Sequence, residues 1–261
     1  MSKLRGKSVA ISPFRKLVID LMYFSKKVPI VTIERRMDLA PLIEARQNCM
    51  PRPSWTALFS KAYAIVAARQ PLLRRCYMEL PWPRFYEHPK NVVTLNVRRQ
   101  VDGEDVVLQD QIRSPENRTL PDLDARVRRC KDAPVTEINA YRRVTSVSYY
   151  PRPIRRALIW LTLNLFGRRR VHNMGTFGIT TVAEHGAGIL NLCPILTSTI
   201  HYGLFDDKGC LDVRLAFDHR VLDGADAADA LAALENTLLG EILAEVRGLE
   251  AAPVIKMPRV A

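Results

Sequence analysis

The stretch CLDVRLAFDHRVLDGADAADALAAL, residues 210–234, leaves the chain few ways to fold. Leu211, Val213, Leu215 and Phe217 alternate with Asp212, Arg214 and Asp218, the period-two pattern of a strand with one buried face. His219 falls on the apolar parity at the end of that strand, where partial desolvation keeps an imidazole neutral and able to accept a proton near pH 7. Asp223 and Gly224 then provide a tight exit into an alanine-rich helix predicted over residues 225–246, with the Asp223 carboxylate near its N-terminus, where negative charge is favoured. A strand with one apolar face feeding a helix calls for a sheet with helices packed on it.

The rest of the chain repeats the theme. Ser12 is placed to cap a helix with Pro13 at its first position, and Phe14, Leu17, Val18, Leu21, Met22 and Phe24 recur on one face of it. VPIVTIERRMDLAPLIEAR reads as a strand and a helix, and a helix opened by Ser54 ends near Pro71. After a proline-rich loop, two strands flank Asp102-Gly103, a strong hairpin signal, and LPDLDARVRRCKD is a polar helix. GTFGITTV, PILTSTIHYGLF and CLDVRLAF supply further strands. Interleaved helices with antiparallel hairpins predict the α/β class, a mixed β-sheet flanked by helices.

No Gly/Ser-rich linker divides the 261 residues and no fixed-period repeat is visible, so residues 1–261 read as a single domain with a flexible start at 1–10. The five cysteines are odd in number, scattered and never spaced Cys-x-x-Cys, which argues against a disulfide framework and a zinc site and fits a reducing cytoplasm. The N-terminus has basic residues but no apolar run ending in small residues, so no cleavable signal peptide is expected.

Net charge is +12, and residues 142–170 hold eight arginines and no acidic residue. The apolar run among them, in IRRALIWLTLNLF, is far shorter than the roughly 20 residues a membrane span requires. Such a segment could lie on an anionic membrane surface at the inner face of the membrane, guide an anionic substrate, receive an acyl carrier protein, or be a buried or interface helix with solvated arginines at its ends. It lacks the interleaved aromatics and helix-turn-helix pattern of a nucleic-acid binder.

His88, His172, His185 and His201 have no metal spacing, and no Gly-x-Ser-x-Gly, Walker loop or Gly-x-Gly-x-x-Gly is present, so serine hydrolase, nucleotide hydrolase and Rossmann readings have no support. On spacing alone, His219 is more often a structural residue than a catalyst. FDHRVLDGADAADAL, however, resembles the His-x-x-x-Asp-Gly motif of the 2-oxo acid dehydrogenase acyltransferases, which chloramphenicol acetyltransferase shares. SPFRKLVIDLMYFSKKVPIVTIERRMDLAPLIEAR is similar to that family's opening helix and first strand, LFSKAYAIVAARQPLL to a later helix, and GTFGITTV to its Gly-Thr-Phe strand. The likeness covers residues 10–245 in order.

The resemblance implies a chloramphenicol acetyltransferase-like fold assembled as a homotrimer, with each active site in a channel between two subunits. It implies a cytoplasmic CoA-dependent acyltransferase in which His219 is the general base on a thiol or hydroxyl and Thr180 donates to the oxyanion of the tetrahedral intermediate. Asp223 would hold the motif loop through an ion pair with a basic residue, Arg15 being the candidate, and Gly224 would support the motif. Coenzyme A thioester or an acyl carrier protein is the implied donor, with no metal, no nucleic acid and no covalently bound lipoate, since only about ten residues precede the first helix. TTVAEHG, LTSTIH and the arginine-rich segment depart from the family pattern, which puts the change in the acceptor and substrate. Two alternatives stand beside this reading: a non-catalytic trimeric scaffold or acyl-CoA-binding protein, and a dehydrogenase-complex core acting on a lipoyl domain carried by another chain.

Overall fold

The computed structural model describes residues 6–181, 189 and 195–250. Helix α1 spans Pro13–Ser25, and the Ser12 hydroxyl accepts the Arg15 N–H at 3.1 Å, the cap that the sequence predicts. Strand β1 (Ile30–Asp38) leads to α2 (Ala40–Asn48), and α3 (Trp55–Arg69) is capped by Ser54. The proline-rich stretch is more than a loop: β2 (Arg75–Met78) and β3 (Arg84–Glu87) pair there as a separate two-stranded sheet. Four-residue strands interrupted by Pro81 and Pro83 are too short to leave a periodic signal. The hairpin β4 (Val92–Val101) and β5 (Glu104–Arg113) turns where expected, with Asp102 and Gly103 both at positive φ (50° and 79°), the backbone a tight two-residue turn requires.

Helix α4 (Leu120–Asp132) follows, and the arginine-rich segment folds into α5 (Asn139–Ser148), α6 (Arg152–Asn164) and α7 (Gly167–Met174). Strands β6 (Phe177–Thr180), β7 (Ser198–Tyr202) and β8 (Cys210–Asp218) come next. The closing helix begins at α8 (Gly224–Thr237), widens by one turn at Leu238–Ile242, and continues as α9 (Leu243–Glu250). It therefore runs a little beyond the predicted 225–246 at both ends.

Six strands form one mixed sheet in the order β1-β8-β7-β6-β4-β5; β4, β6 and β7 are parallel neighbours and the other pairs are antiparallel. One face carries the main core, where Leu95, Phe177, Ile179, Ile200, Leu215 and Phe217 pack with residues of α3 and α8. Tyr63 of α3 meets Phe177 edge-on at 4.9 Å, and its hydroxyl donates to Ser198 Oγ. The opposite face is covered more loosely by α1 and α6, through a small cluster of Leu21, Phe24, Ile159, Leu163 and Ile195.

Gly175 begins the Gly-Thr-Phe strand with φ +87°, and a Cβ there would sit 2.2 Å from Thr94 Oγ1 and 2.8 Å from Val92 O. Only glycine fits, so this position fixes how β6 enters the sheet beside β4.

Candidate active site

The end of β8 does not follow the strand's alternation. Asp218, which parity sends outward, is buried, and His219, expected on the buried side, is exposed at 46% of its side chain. The reason is charge pairing: Arg220 grips the Asp218 carboxylate with Nε at 2.9 Å and Nη2 at 2.7 Å, and its own N–H donates to the same carboxylate. A forked guanidinium removes the penalty for burying Asp218. The Arg220 guanidinium also lies 4.5 Å over the Tyr77 ring, and Asp218 N–H donates to Thr197 O. Asp218 and Arg220, the residues that flank the histidine, were not singled out from sequence, although an acid and a base two apart at a strand end are a usable signal.

With its neighbours anchored, the backbone of His219 is fixed by its N–H donating to Pro29 O at 2.9 Å. Its Nδ1 lies 3.0 Å from Leu222 O, a partner that can only accept, so Nδ1 carries the proton. That tautomer leaves Nε2 with a free lone pair on an exposed ring, the atom a general base needs. Phe217 stands edge-on to the ring at 5.8 Å.

Asp223 is the N-cap of α8 and is exposed; its Oδ1 is 3.6 Å from His219 Nδ1, beyond hydrogen-bond range. Asp226 accepts the Asp223 N–H at 2.9 Å. Among the described residues no ion pair joins Asp223 to Arg15, which lies exposed on α1. Gly224 opens α8 with empty space where a side chain would begin.

Thr180 lies elsewhere. It ends β6, half-buried, in the wall of a cavity of about 460 Å³ between the sheet and helices α1, α5 and α6. His219 does not line this cavity. Beside Thr180 the strand register sets Asn96 of β4, and beside Asn96 it sets Gln109 of β5, so three polar side chains stand in a row on the cavity floor. The row continues across β7 and β8 as His201 and Arg214, the latter paired with Glu34 of β1 at 2.5 Å.

His201 is not a second base. It is buried, its Nδ1 faces Thr180 O at 3.2 Å, and its Nε2 accepts the Ile189 N–H at 3.1 Å, so both nitrogens are used. Burial, with help from the Arg214 charge, holds its pKa below the ordinary value against the pull of Thr180 O. His172 is lowered as well, by desolvation and then by the charges of Arg113, Arg143 and Arg168. Among the described residues no cluster of His, Cys, Asp and Glu could hold a metal; His185 and Cys193 lie outside them. Cys130 is buried and donates to Asp110, and its thiol is pushed up to about 12 by burial and that carboxylate.

The arginine-rich segment is not uncompensated, as its sequence suggests. Asp20 of α1, fully buried, takes both Arg155 and Arg156. Arg170 is buried and donates to the carbonyls of Tyr77, Leu163 and Ile195. Arg142 and Arg143 bond the carbonyls of Thr136 and His172. Arg152, Arg168 and Arg169 are exposed, and no helix among the described residues is long and apolar enough to cross a membrane.

No family model matches the sequence, and no curated protein is similar to it. Solved structures do share the fold. A probable dihydrolipoamide acetyltransferase from Listeria monocytogenes superposes with a TM-score of 0.61 at 15% identity, over 90% of this chain and 94% of that one. A truncated catalytic core of the 2-oxoacid dehydrogenase multienzyme complex from Thermoplasma acidophilum gives 0.63 at 14%, over 90% and 99%. The dihydrolipoamide acetyltransferase of Azotobacter vinelandii, studied for the roles of a serine, a histidine and an asparagine in its catalytic mechanism, gives 0.61 at 15%, over 94% of each chain. The fold is that of the 2-oxo acid dehydrogenase acyltransferase cores, as the sequence resemblance implied.

Proposed function

We propose that this chain, built on the acyltransferase-core fold, is a CoA-dependent acyltransferase that works as a homotrimer and carries an acyl group from a thioester to a thiol or hydroxyl acceptor. The observation that carries the reading is the 3.0 Å contact between His219 Nδ1 and Leu222 O, which leaves Nε2 as the lone-pair nitrogen of an exposed ring. Nε2 takes the acceptor's proton as its oxygen or sulfur attacks the thioester carbonyl. The carbonyl becomes an oxyanion, which accepts a hydrogen bond from the Thr180 hydroxyl. Collapse breaks the carbon–sulfur bond, and the departing CoA thiolate recovers the proton from Nε2. The Asp223 carboxylate, 3.6 Å from Nδ1, steadies the imidazolium in between. In the Azotobacter vinelandii enzyme, the histidine and asparagine named for the mechanism are likewise four positions apart.

His219 and Thr180 do not share a cavity within one chain, which supports a site completed between copies around a threefold axis. Two variants test this together. His219→Ala lowers CoA release about a hundredfold to ten-thousandfold without moving the thermal midpoint. Mixing unfolded His219→Ala and Thr180→Val chains and refolding them restores roughly a quarter of the sites, because each mixed interface can pair one intact histidine with one intact threonine. A His219→Ala protein as active as the wild type refutes the base, and a mixture no better than its parents refutes the shared site.

A further inference from the structure

We infer that the cavity beside Thr180 is a hydrocarbon pocket, and that the acyl group transferred is a medium or long chain. The inference rests on the acyl-transfer reading for its ligand, but its observations are separate. The volume of about 460 Å³ lies within the range of small-molecule pockets, about 300–1,000 Å³. Its walls are mostly apolar, with Leu17 and Met22 of α1, Val147 of α5, Leu158 of α6 and Met174 of α7, although Arg143 of α5 and Thr162 of α6 also reach it. Its floor is polar, with Thr180 beside Asn96.

That division suits an acyl thioester better than a uniformly apolar or polar ligand. The chain lies against the walls, and the carbonyl sits on the floor within reach of the Thr180 hydroxyl. Asn96 strengthens the case. Its Oδ1 is buried and without a hydrogen-bond partner, so no bond at that oxygen holds the amide in its present orientation. With no partner fixing that end, the amide is able to turn its Nδ2 donors toward a ligand carbonyl. The pocket also explains the place of the arginine-rich segment. Asp20 binds Arg155 and Arg156, so α6 is locked against α1 and the two helices form facing walls.

Two non-hydrolysable ethers, S-ethyl-CoA and S-decyl-CoA, titrated into the intact protein by calorimetry, test this directly. Each buried methylene tightens binding about fourfold, so the decyl ether should bind at least about a hundredfold more tightly than the ethyl ether. Leu158→Trp, at a half-open wall position that tolerates a larger side chain, should cut that ratio below about tenfold, as should Val147→Phe. Ile154→Trp, one turn away on α6 and outside the cavity, should leave the ratio unchanged. Equal affinity for the two ethers overturns the pocket, and so does a ratio that survives both filling variants. Chain-length selection without CoA release from any acyl-CoA upholds the pocket and overturns acyl transfer, so the two readings fail separately.

Discussion

On one face of the sheet, Phe177, Ile200, Leu215 and Phe217 meet helices α3 and α8 and are wholly buried; on the other, across the same strands, stand Gln109, Asn96, Thr180, His201 and Arg214. Adjacent residues of one strand thus serve opposite ends. The first face is filled by the chain's own side chains and stores folding energy. The second is lined with groups that cost energy when buried unpaired, and it is left with a cavity over it. A chain that spends one face on stability can afford an unfinished second face, and an unfinished polar face is where a ligand or another copy has something to complete.

Substitutions that tell the two faces apart sharpen this contrast. Phe177→Ala should have the largest effect, about 3–5 kcal/mol of unfolding free energy from a fully buried aromatic, read as a lower denaturant midpoint. Val107→Ala, at an exposed position on the cavity rim, should cost no more than about 0.5 kcal/mol. Comparable losses at the two sites would erase the distinction between the faces.

Thr180→Val should do the reverse. Removing the oxyanion donor lowers kcat about a hundredfold to a thousandfold, or about 2.7–4 kcal/mol in the barrier, while the denaturant midpoint stays put. If unfolding free energy fell and turnover did not, the threonine would be a strand-former and nothing more.

Acid should weaken the polar face through His201. Its folded pKa lies below the ordinary 6.5, so the unfolded chain takes up a proton that the folded chain refuses. Stability from this group is present above 6.5 and is lost as the pH falls from there toward the folded value. Thermal midpoints measured from pH 7.5 down to 5 should therefore decline, and His201→Gln should flatten the decline. An unchanged slope in the variant would assign it to another group.

The smallest effect is expected at Gly224. Alanine meets open space there and is the better helix former, so stability should shift by less than about 1 kcal/mol. If substrate or a neighbouring copy approaches His219 over this position, turnover still falls. Unaltered kinetics would leave Gly224 with no part in the site.

Legibility in the sequence tracked locality. The Ser12 and Ser54 caps, the Asp102-Gly103 turn and the alternation of β8 up to Leu215 are set by residues a few positions apart, and each stood where it was read. The exposure of His219 was misread because it depends on Arg220 neutralising Asp218, which makes the acid the buried member. The pairing of Asp20 with Arg155 was invisible because no local pattern links residues 135 apart. The cavity was out of reach for the same reason: its lining is drawn from α1, β4, β5, α5, α6, α7, β6 and β7, each of which reads as an ordinary element alone.

That Asp20–Arg155 link also sets an order of assembly. During synthesis α1 emerges before α6, so the carboxylate it must bury lacks its two arginines until α6 is made. Closing so long a loop is slow compared with forming a helix or a hairpin. The wall that α1 and α6 form between them can therefore close only once the chain has been made 135 positions beyond Asp20, although Phe14 of α1 already has Tyr141 of α5 to pack on before then.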